Sequence, residues 1–156
     1  MKTYNIVSID EFKTNIQRNS RLLGIDHGNK NIGFAICDEN KKVATPLKTL
    51  QKSKFEILMK EINLIIEENH IGGIVIGNPI NMDGTLGKAS QSASDFARNV
   101  SKNVTIPITM WDERLSSVGS FKITKELGTN VTNRANKLDK NAAAFILQGA
   151  IDYLSN

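Results

Sequence analysis

An aspartate inside an apolar run punctuated by glycines constrains this chain more than any other feature. Asp26 lies between the apolar stretches Leu22–Ile25 and Ile32–Cys37. A carboxylate in such a run is costly to bury unless it is paired or binds a cation. The glycines at 24, 28 and 33 allow a backbone or a ligand to approach it closely. The run therefore predicts a strand that carries a functional carboxylate.

Further acidic residues lie at the edges of two apolar segments far along the chain. Asp112 and Glu113 follow the apolar stretch 104–111, and Asp139 precedes the apolar stripe of the last helix. Side chains alternate faces along a strand, so at most one of Asp112 and Glu113 points into a given site. On a helix, the apolar positions three, four and seven residues after Asp139 share its face. Three carboxylates brought together by the fold would suit a hard divalent metal ion.

Each of these acids also has an ordinary structural explanation. Asp26 could be a turn aspartate that bonds to its own loop. Glu113 could form a surface ion pair with Arg114 or a nearby lysine. Asp139 could be a helix N-cap or a first-turn acid that the helix dipole favours. The residues alone leave both interpretations open for each position.

The composition fits one globular domain with a nucleic-acid partner among the options. The chain has 156 residues, of which 40% are hydrophobic and 23% charged, with a net charge of +4. A small basic surplus is compatible with nucleic-acid binding but is not specific for it. The single cysteine, Cys37, excludes an intrachain disulfide and fits a reducing compartment. No apolar stretch approaches the roughly 20 residues of a membrane span, so we expect a cytoplasmic protein without a membrane partner.

The hydrophobic pattern predicts an α/β domain over residues 21–156, preceded by a polar N-terminal extension, residues 1–20. In the extension, a capping box that begins at Ser8 predicts a short helix from about Ile9 to Arg18. Two strands, 21–27 and 31–37, should form a hairpin around the glycine-containing turn. A third strand, 43–50, contains a proline, which places it near a sheet edge or at a bulge.

The second half of the domain alternates helices and strands. The predicted elements are a helix opened by Ser53-x-x-Glu56, a buried strand 72–77, a helix after Gly87, a strand 104–111 that Pro107 interrupts or starts, a helix from Ser116 or Ser117 to Gly128, a basic loop 128–137 and a helix 139–154. This order predicts a mixed five-stranded sheet flanked by helices on both faces.

Basic residues and one polar loop are candidates for phosphate contacts. A lone basic side chain is usually just solvated, so the candidates are considered only as a group. They are Lys30, Arg114, Arg134 and Lys137. The loop 78–87 could present backbone amides and a helix N-terminus to an anion, or could be a plain connection. His27 and His70 lack the spacing of a zinc site, and His27 is interpreted as a hydrogen-bonding neighbour of Asp26.

Four blocks of the sequence carry a family resemblance when they are taken in order. They are Gly24-Ile-Asp-His-Gly-Asn-Lys-Asn-Ile-Gly33, Ile76-Gly-Asn-Pro-Ile-Asn-Met-Asp-Gly84, Trp111-Asp-Glu-Arg-Leu115 and Leu138-Asp-Lys-Asn-Ala-Ala-Ala-Phe-Ile-Leu-Gln148. Together they resemble the YqgF/RuvX family of Holliday-junction-resolvase-like proteins, which have an RNase H-like fold and are described as nucleases of pre-16S rRNA. The family usually has arginine where this chain has Asn31, and residues 1–20 lie outside the family core.

The resemblance implies an RNase H-like nuclease domain in which Asp26, Glu113 and Asp139 are both the catalytic and the metal-binding residues. It implies Mg²⁺ or Mn²⁺ as the cofactor, with two ions about 4 Å apart that assist an in-line displacement. The expected partner is nucleic acid, with structured RNA favoured and a DNA junction as an option. The expected activity is phosphodiester hydrolysis at the 5′ end of pre-16S rRNA during ribosome biogenesis.

Three other functions fit parts of the sequence. The chain could be a nucleic-acid-binding ribosome-assembly factor without catalysis, or a Holliday junction resolvase that acts on DNA. Asp26-x-Gly28 with Gly33 also resembles the first phosphate motif of the actin-like ATPases. Those proteins enclose a nucleotide between two lobes, and 156 residues supply only one.

Overall fold

The computed structural model describes residues 5–81, 83–115 and 131–155, with the side chains of the last segment described from Ala142 onward. The described strands are β1 (Arg21–His27), β2 (Asn31–Cys37), β3 (Ala44–Gln51), β4 (Ile71–Asn78) and β5 (Ile108–Asp112). The described helices are α1 (Ile9–Asn15), α2 (Phe55–Asn69), α3 (Lys88–Ser101) and α4 (Val131–Leu154), and a 3₁₀ turn spans Glu113–Leu115.

The strands form a mixed five-stranded sheet in the order β3-β2-β1-β4-β5. β1 runs antiparallel to β2 and parallel to β4, and β5 runs parallel to β4. The carboxyl ends of β1, β4 and β5 therefore meet at one edge of the sheet, which we call the carboxyl edge. The predicted sheet is confirmed, and so is the position of Pro46, which lies beside a register shift on the edge strand β3.

Helices cover both faces of the sheet, and alternation along β1 divides the core between them. Leu23 and Ile25 belong to the core under α2 and α3, whereas Leu22 belongs to the core under α1 and α4. Because Asp26 follows Leu22 by four residues along the strand, it lies on the face that α4 covers. The functional carboxylate predicted from the sequence is therefore placed at the α4 side of the carboxyl edge.

Helix α4 packs directly on β1 at Gly24. A methyl group added at Gly24 would lie 2.7 Å from Leu147 Cβ and 3.0 Å from the Ala143 carbonyl oxygen, so only glycine permits this approach. Farther along α4, the Gln148 Oε1 atom accepts a 2.8 Å hydrogen bond from the backbone N–H of Ala44, at the opposite edge of the sheet. The first turns of α4 therefore point toward the carboxyl edge.

The last helix is longer than its hydrophobic pattern predicts. It begins at Val131, so the prediction of a loop over 128–137 is wrong for residues 131–137. This segment contains no glycine or proline that would end a helix, although it also has no apolar stripe. The predicted helix from Ser116 or Ser117 to Gly128 lies outside the described residues.

The starts of helix α2 and strand β5 bear differently on the prediction. Helix α2 begins after Lys54, which makes no side-chain capping bond, so the predicted cap at Ser53 is wrong. Strand β5 begins at Ile108, directly after Pro107, which agrees with the prediction that this proline interrupts or starts the strand. The proline before Ile108 has no N–H to give to a ladder, although its carbonyl accepts a 2.9 Å bond from the Ile74 N–H.

The N-terminal segment packs against the sheet. Ile6 forms a parallel bridge with Ile108, and the Asn5 amide donates to the carbonyls of Val104 and Ile106 at 3.0 and 3.1 Å. Ser8 caps α1 as predicted, because its hydroxyl accepts a 3.2 Å bond from the Glu11 N–H. None of the described helices is long and apolar enough to cross a membrane.

Candidate active site

Glycines flank Asp26 on both neighbouring strands. Asp26 pairs with Gly33 on β2, and Gly77 on β4 follows the residue that pairs with Ile25. Since neither neighbour carries a side chain, other groups can approach the sheet closely beside the Asp26 carboxylate. A pocket of about 310 Å³ lies here and is lined by Asp26, Gly28, Asn29, Lys30, Asn31 and Gly33.

Glu113 approaches the same edge from β5. The strand ends at Asp112, and the following 3₁₀ turn brings the Glu113 carboxylate over Gly77, where a β-carbon would lie 3.0 Å from its Oε2 atom. Burial raises the pKa of Glu113 to about 7, and the negative charges of Asp26 and Asp112 raise it as well. The fold thus brings Asp26 and Glu113 together and desolvates at least one of them.

Asp112 is held by Arg114 instead. Its Oδ1 atom accepts bonds from the Arg114 backbone N–H at 3.0 Å and from Nε at 3.1 Å, and its Oδ2 atom accepts from Nη2 at 2.8 Å. The Arg114 hydrogen bonds hold the pKa of Asp112 below its usual range. Asp112 therefore stabilises the 3₁₀ turn that carries Glu113. The ion pair with Arg114 that was considered for Glu113 is formed by Asp112 instead.

Two of the other predicted contact residues, Lys30 and Arg114, have described side chains. Lys30 is exposed on the β1–β2 turn and lines the pocket. Arg114 is partly engaged by Asp112, and its Nη1 atom lies 3.7 Å from where a β-carbon of Gly84 would be. The remaining predicted residues lie on the first half of α4, where side chains are outside the described set: Arg134, Lys137 and Asp139.

A cluster of three metal ligands is absent among the side chains that the structure describes. Two of the three predicted ligands, Asp26 and Glu113, are among the described side chains. The third, Asp139, precedes Ala143 by one helical turn, and Ala143 is the residue whose carbonyl passes over Gly24. The α4 backbone at position 139 is therefore displaced from Gly24 in the direction of the carboxyl edge.

The His27 ring faces α3, on the side of the sheet opposite to Asp26. It stacks on Phe96 with ring centroids 4.5 Å apart, and its Nδ1 atom lies 3.5 Å from the Ser92 hydroxyl oxygen. Burial lowers the pKa of His27 to about 4, with a smaller contribution from the charge of Lys52. The ring is therefore neutral near pH 7 and packs the end of β1 against α3.

Hydrogen bonds within the loop after β4 hold it together. The Asn81 side-chain amide donates to Thr85 Oγ1 at 2.9 Å, and the Thr85 N–H donates to Asp83 Oδ1 at 2.9 Å. Gly87, the N-cap of α3, makes no side-chain capping bond. These contacts favour the interpretation of this loop as a connection that its own polar side chains stabilise.

Sequence reasoning missed Gly77, which makes room for Glu113. The sequence contains a signal for this role, because a glycine inside a β-branched strand often marks a close approach by another group. We expect Gly77→Ala to destabilise the fold by about 1–3 kcal/mol, because the new methyl group would lie 2.5 Å from Ile146 Cδ1. Urea denaturation measures this change.

A double variant separates the packing effect from the effect on the site. Ile146→Val removes the Cδ1 atom at 2.5 Å and keeps the Cγ1 atom at 3.1 Å, so Gly77→Ala/Ile146→Val should recover part of the stability that the alanine variant loses. Gly77→Ala should also lower activity by displacing the Glu113 carboxylate, and the double variant, which retains this 3.0 Å contact, should share that loss. Full recovery of activity in the double variant would show that Gly77 serves packing alone.

The comparisons with known proteins agree on one family. The family model RuvX, described as Holliday junction resolvase, matches residues 20–153. A relative from Pelagibacter ubique (strain HTCC1062), named "Putative pre-16S rRNA nuclease", is 49% identical over 151 residues, which cover 97% of this chain and 100% of the relative. A relative of the same name from Ruegeria pomeroyi is 44% identical over 149 residues, 96% of this chain and 97% of the relative.

Solved structures show the same fold at low sequence identity. The T. thermophilus RuvC protein in complex with a Holliday junction substrate aligns with a TM-score of 0.55 and 11% identity, over 88% of this chain and 96% of RuvC. The yeast mitochondrial Holliday junction resolvase Ydc2 aligns with a TM-score of 0.50 and 11% identity, over 94% and 84%. The predicted RNase H-like fold is thereby confirmed. The chain belongs to the RuvX family and is a nuclease, a hydrolase of phosphodiester bonds.

Proposed function

We propose that this chain is a divalent-metal-dependent ribonuclease that processes the 5′ end of precursor 16S rRNA during ribosome biogenesis in the cytoplasm. One observation carries the metal dependence: the carboxylates of Asp26 and Glu113 meet at the carboxyl edge, where Gly77 leaves room for Glu113. The rRNA substrate is supported by relatives that share up to 49% of their residues with this chain and are named for that substrate.

The donor set fits Mg²⁺ or Mn²⁺. All the candidate ligands are carboxylate oxygens, which these hard ions prefer. Burial and the negative charge of Asp26 raise the pKa of Glu113, and a cation between the two carboxylates would relieve both effects. Asp26, Glu113 and Asp139 would hold the metal, with Asp139 supplied by the early turns of α4. Two bound ions would supply an activated water and stabilise the leaving oxygen of the phosphodiester.

The fold gives each carboxylate a different kind of support. Asp26 lies on the central strand β1, which is bonded on both sides, so its position is rigid. Glu113 lies on a short turn that is braced by the Asp112–Arg114 pair. The ligands thus come from a strand, a turn and a helix, and the site forms only when β1, β5 and α4 are packed together.

The basic residues hold the substrate in this proposal. Lys30 lies beside the pocket at Asp26, and Arg134 and Lys137 lie on the turns of α4 before Asp139. Contacts of this kind bind the nucleic-acid backbone with little sequence preference and with strong salt dependence. Arg114 also faces the carboxyl edge, although its pair with Asp112 limits how far it can move.

The test is a cleavage assay on three labelled substrates: a pre-16S rRNA fragment, an unrelated single-stranded RNA and a four-way DNA junction. Each is incubated with Mg²⁺, with Mn²⁺ and with EDTA. We expect metal-dependent cutting of the rRNA fragment near the mature 5′ end and no cutting in EDTA. Preferred cutting of the junction would instead favour a DNA resolvase. Binding of RNA without any cutting would favour an assembly factor.

A further inference from the structure

A polar surface extends from Asp26 across the sheet and ends in two amide side chains. Asp26 pairs with Gly33 on β2, and Gly33 pairs with Thr49 on β3. Two residues closer to the carboxyl edge, Asn31 pairs with Gln51. Paired residues share a face of the sheet, and so do residues two apart along a strand, so Asn31 and Gln51 lie on the same face as Asp26. We call Asn31 and Gln51 the amide pair.

This face of β2 changes from apolar to polar at the level of Asp26. Toward the opposite edge of the sheet, Ala35 and Cys37 belong to the core under α1 and α4. Toward the carboxyl edge, Asn31 is exposed and lines the pocket of about 310 Å³ that Asp26 also lines. Gln51, beside Asn31 on β3, is exposed as well. On β2, the polar part of this face is therefore confined to the surroundings of the proposed metal site.

The amide pair is available for a ligand. Within the described residues, neither the Asn31 nor the Gln51 side chain makes a hydrogen bond. Each amide offers two N–H donors and one carbonyl acceptor. A ribose 2′-hydroxyl also donates and accepts, and DNA lacks this group. The amide pair can therefore satisfy both functions of a 2′-hydroxyl, whereas a basic side chain could only donate.

The distance from Asp26 suits a sugar. Neighbouring strands lie about 4.8 Å apart and a strand rises about 3.4 Å per residue, so the Cα atoms of Asn31 and Asp26 are about 8 Å apart. In the proposed function, the reacting phosphate is held by metal at Asp26 and Glu113. The part of a nucleotide next to its phosphate is the sugar. Because the amide pair is uncharged, it suits this sugar better than a second phosphate.

We propose that the amide pair hydrogen-bonds the 2′-hydroxyl of the nucleotide beside the scissile bond and makes the site selective for RNA over DNA. Asn31 makes the contact from within the pocket, and Gln51 extends it onto β3. The inference rests on the proposed function, because it names the residues that recognise the sugar of the substrate at the same site.

Binding to three labelled single strands of one sequence tests the amide pair. The strands are RNA, DNA and 2′-fluoro RNA, which keeps a ribose-like sugar pucker but has no hydroxyl. Fluorescence anisotropy measures the affinity of wild type, Asn31→Leu and Gln51→Met for each strand. The new side chains are close in shape to the old ones but lack the amide. The measurement is made in Ca²⁺, or in EDTA if a gel shows that Ca²⁺ supports cutting.

We expect wild type to bind the RNA strand more tightly than the other two. Each variant should lose about fivefold in RNA affinity, which corresponds to one net hydrogen bond, while its affinity for DNA and 2′-fluoro RNA stays within about twofold of wild type. A purely structural role would lower the affinity for all three strands together, so the unchanged DNA affinity also serves as the check on folding.

Asn40→Leu is the matched control. Asn40 is exposed on the connection between β2 and β3, at the end of β2 farther from Asp26. This variant should bind RNA as wild type does. Wild type that does not prefer RNA, or an Asn31→Leu variant that loses RNA and DNA affinity equally, would overturn the inference. Wild type that binds 2′-fluoro RNA as tightly as RNA would also overturn it, because the protein would then recognise sugar shape rather than the hydroxyl.

The cleavage assay on the three substrates separates this inference from the proposed function. If Asn31→Leu loses affinity for RNA alone but wild type cuts no substrate, the sugar contact stands and the proposed metal-dependent processing of rRNA fails. If wild type cuts the rRNA fragment and Asn31→Leu keeps the full preference for RNA, the proposed function stands and the role of the amide pair fails.

Discussion

Asp26→Asn is expected to abolish metal-dependent RNA cleavage while leaving the fold intact. Loss of a group that only supports a metal ligand typically costs about 10–100-fold, so loss of a central ligand should cost more than about 100-fold. The fold should survive because asparagine has the same shape and Asp26 lies between two glycines rather than in a packed core. Cleavage assays in Mn²⁺, with circular dichroism as the check on folding, measure both effects.

Asp95→Asn is the matched control for this result. Asp95 is an exposed acid on α3 whose contacts, to Gln91 and Arg98, stay within that helix. The Asp95→Asn variant loses one negative charge, as Asp26→Asn does, but at a position away from the carboxyl edge. Its cleavage rate should equal that of wild type. Cleavage by Asp26→Asn at the wild-type rate would remove Asp26 from the site.

Phe12→Ala is expected to have the largest effect on stability, about 3–5 kcal/mol of unfolding free energy. Phe12 is 0% exposed and packs α1 onto the sheet, where its ring occupies the space that a side chain at Gly73 would need. Truncation of Phe12 leaves a cavity between α1 and Gly73 on β4. The cavity cannot close because the backbones of this helix and this strand keep their positions. Urea denaturation with tryptophan fluorescence measures the change.

Phe55→Ala is the comparison for Phe12→Ala. Phe55 is half-buried at the start of α2 and meets Phe96 edge to face, with ring centroids 6.2 Å apart. Its truncation exposes less apolar surface and should cost clearly less than that of Phe12. A loss below about 1 kcal/mol for Phe12→Ala would mean that the N-terminal segment is not part of the cooperative fold.

The hairpin that carries Asp26 could be predicted from the sequence residue by residue. Both strand boundaries, 21–27 and 31–37, agree with the structure. The reason is that two apolar runs of strand length meet at a tight glycine turn, which leaves one register. Helix α4 was predicted less well, since residues 131–137 have no apolar stripe in the sequence and extend a helix whose first described buried position is Ala143.

The arrangement around Glu113 could be predicted only in part. Strand alternation limits the site to one of Asp112 and Glu113 but does not choose between them. The choice depends on the 3₁₀ turn, on the Arg114 side chain that takes Asp112, and on the space left at Gly77. The contact between Glu113 and Gly77 joins segments far apart in the chain, so no local pattern encodes it.

Calorimetric titration of Mn²⁺ into wild type, Asp26→Asn, Glu113→Gln and Asp139→Asn tests the central claim most directly. It measures metal binding without substrate, so it does not depend on which nucleic acid is cut. We expect wild type to bind Mn²⁺ and each of the three variants to bind it at least about tenfold more weakly. Binding by all three variants that equals wild type would contradict a metal centre built from these carboxylates.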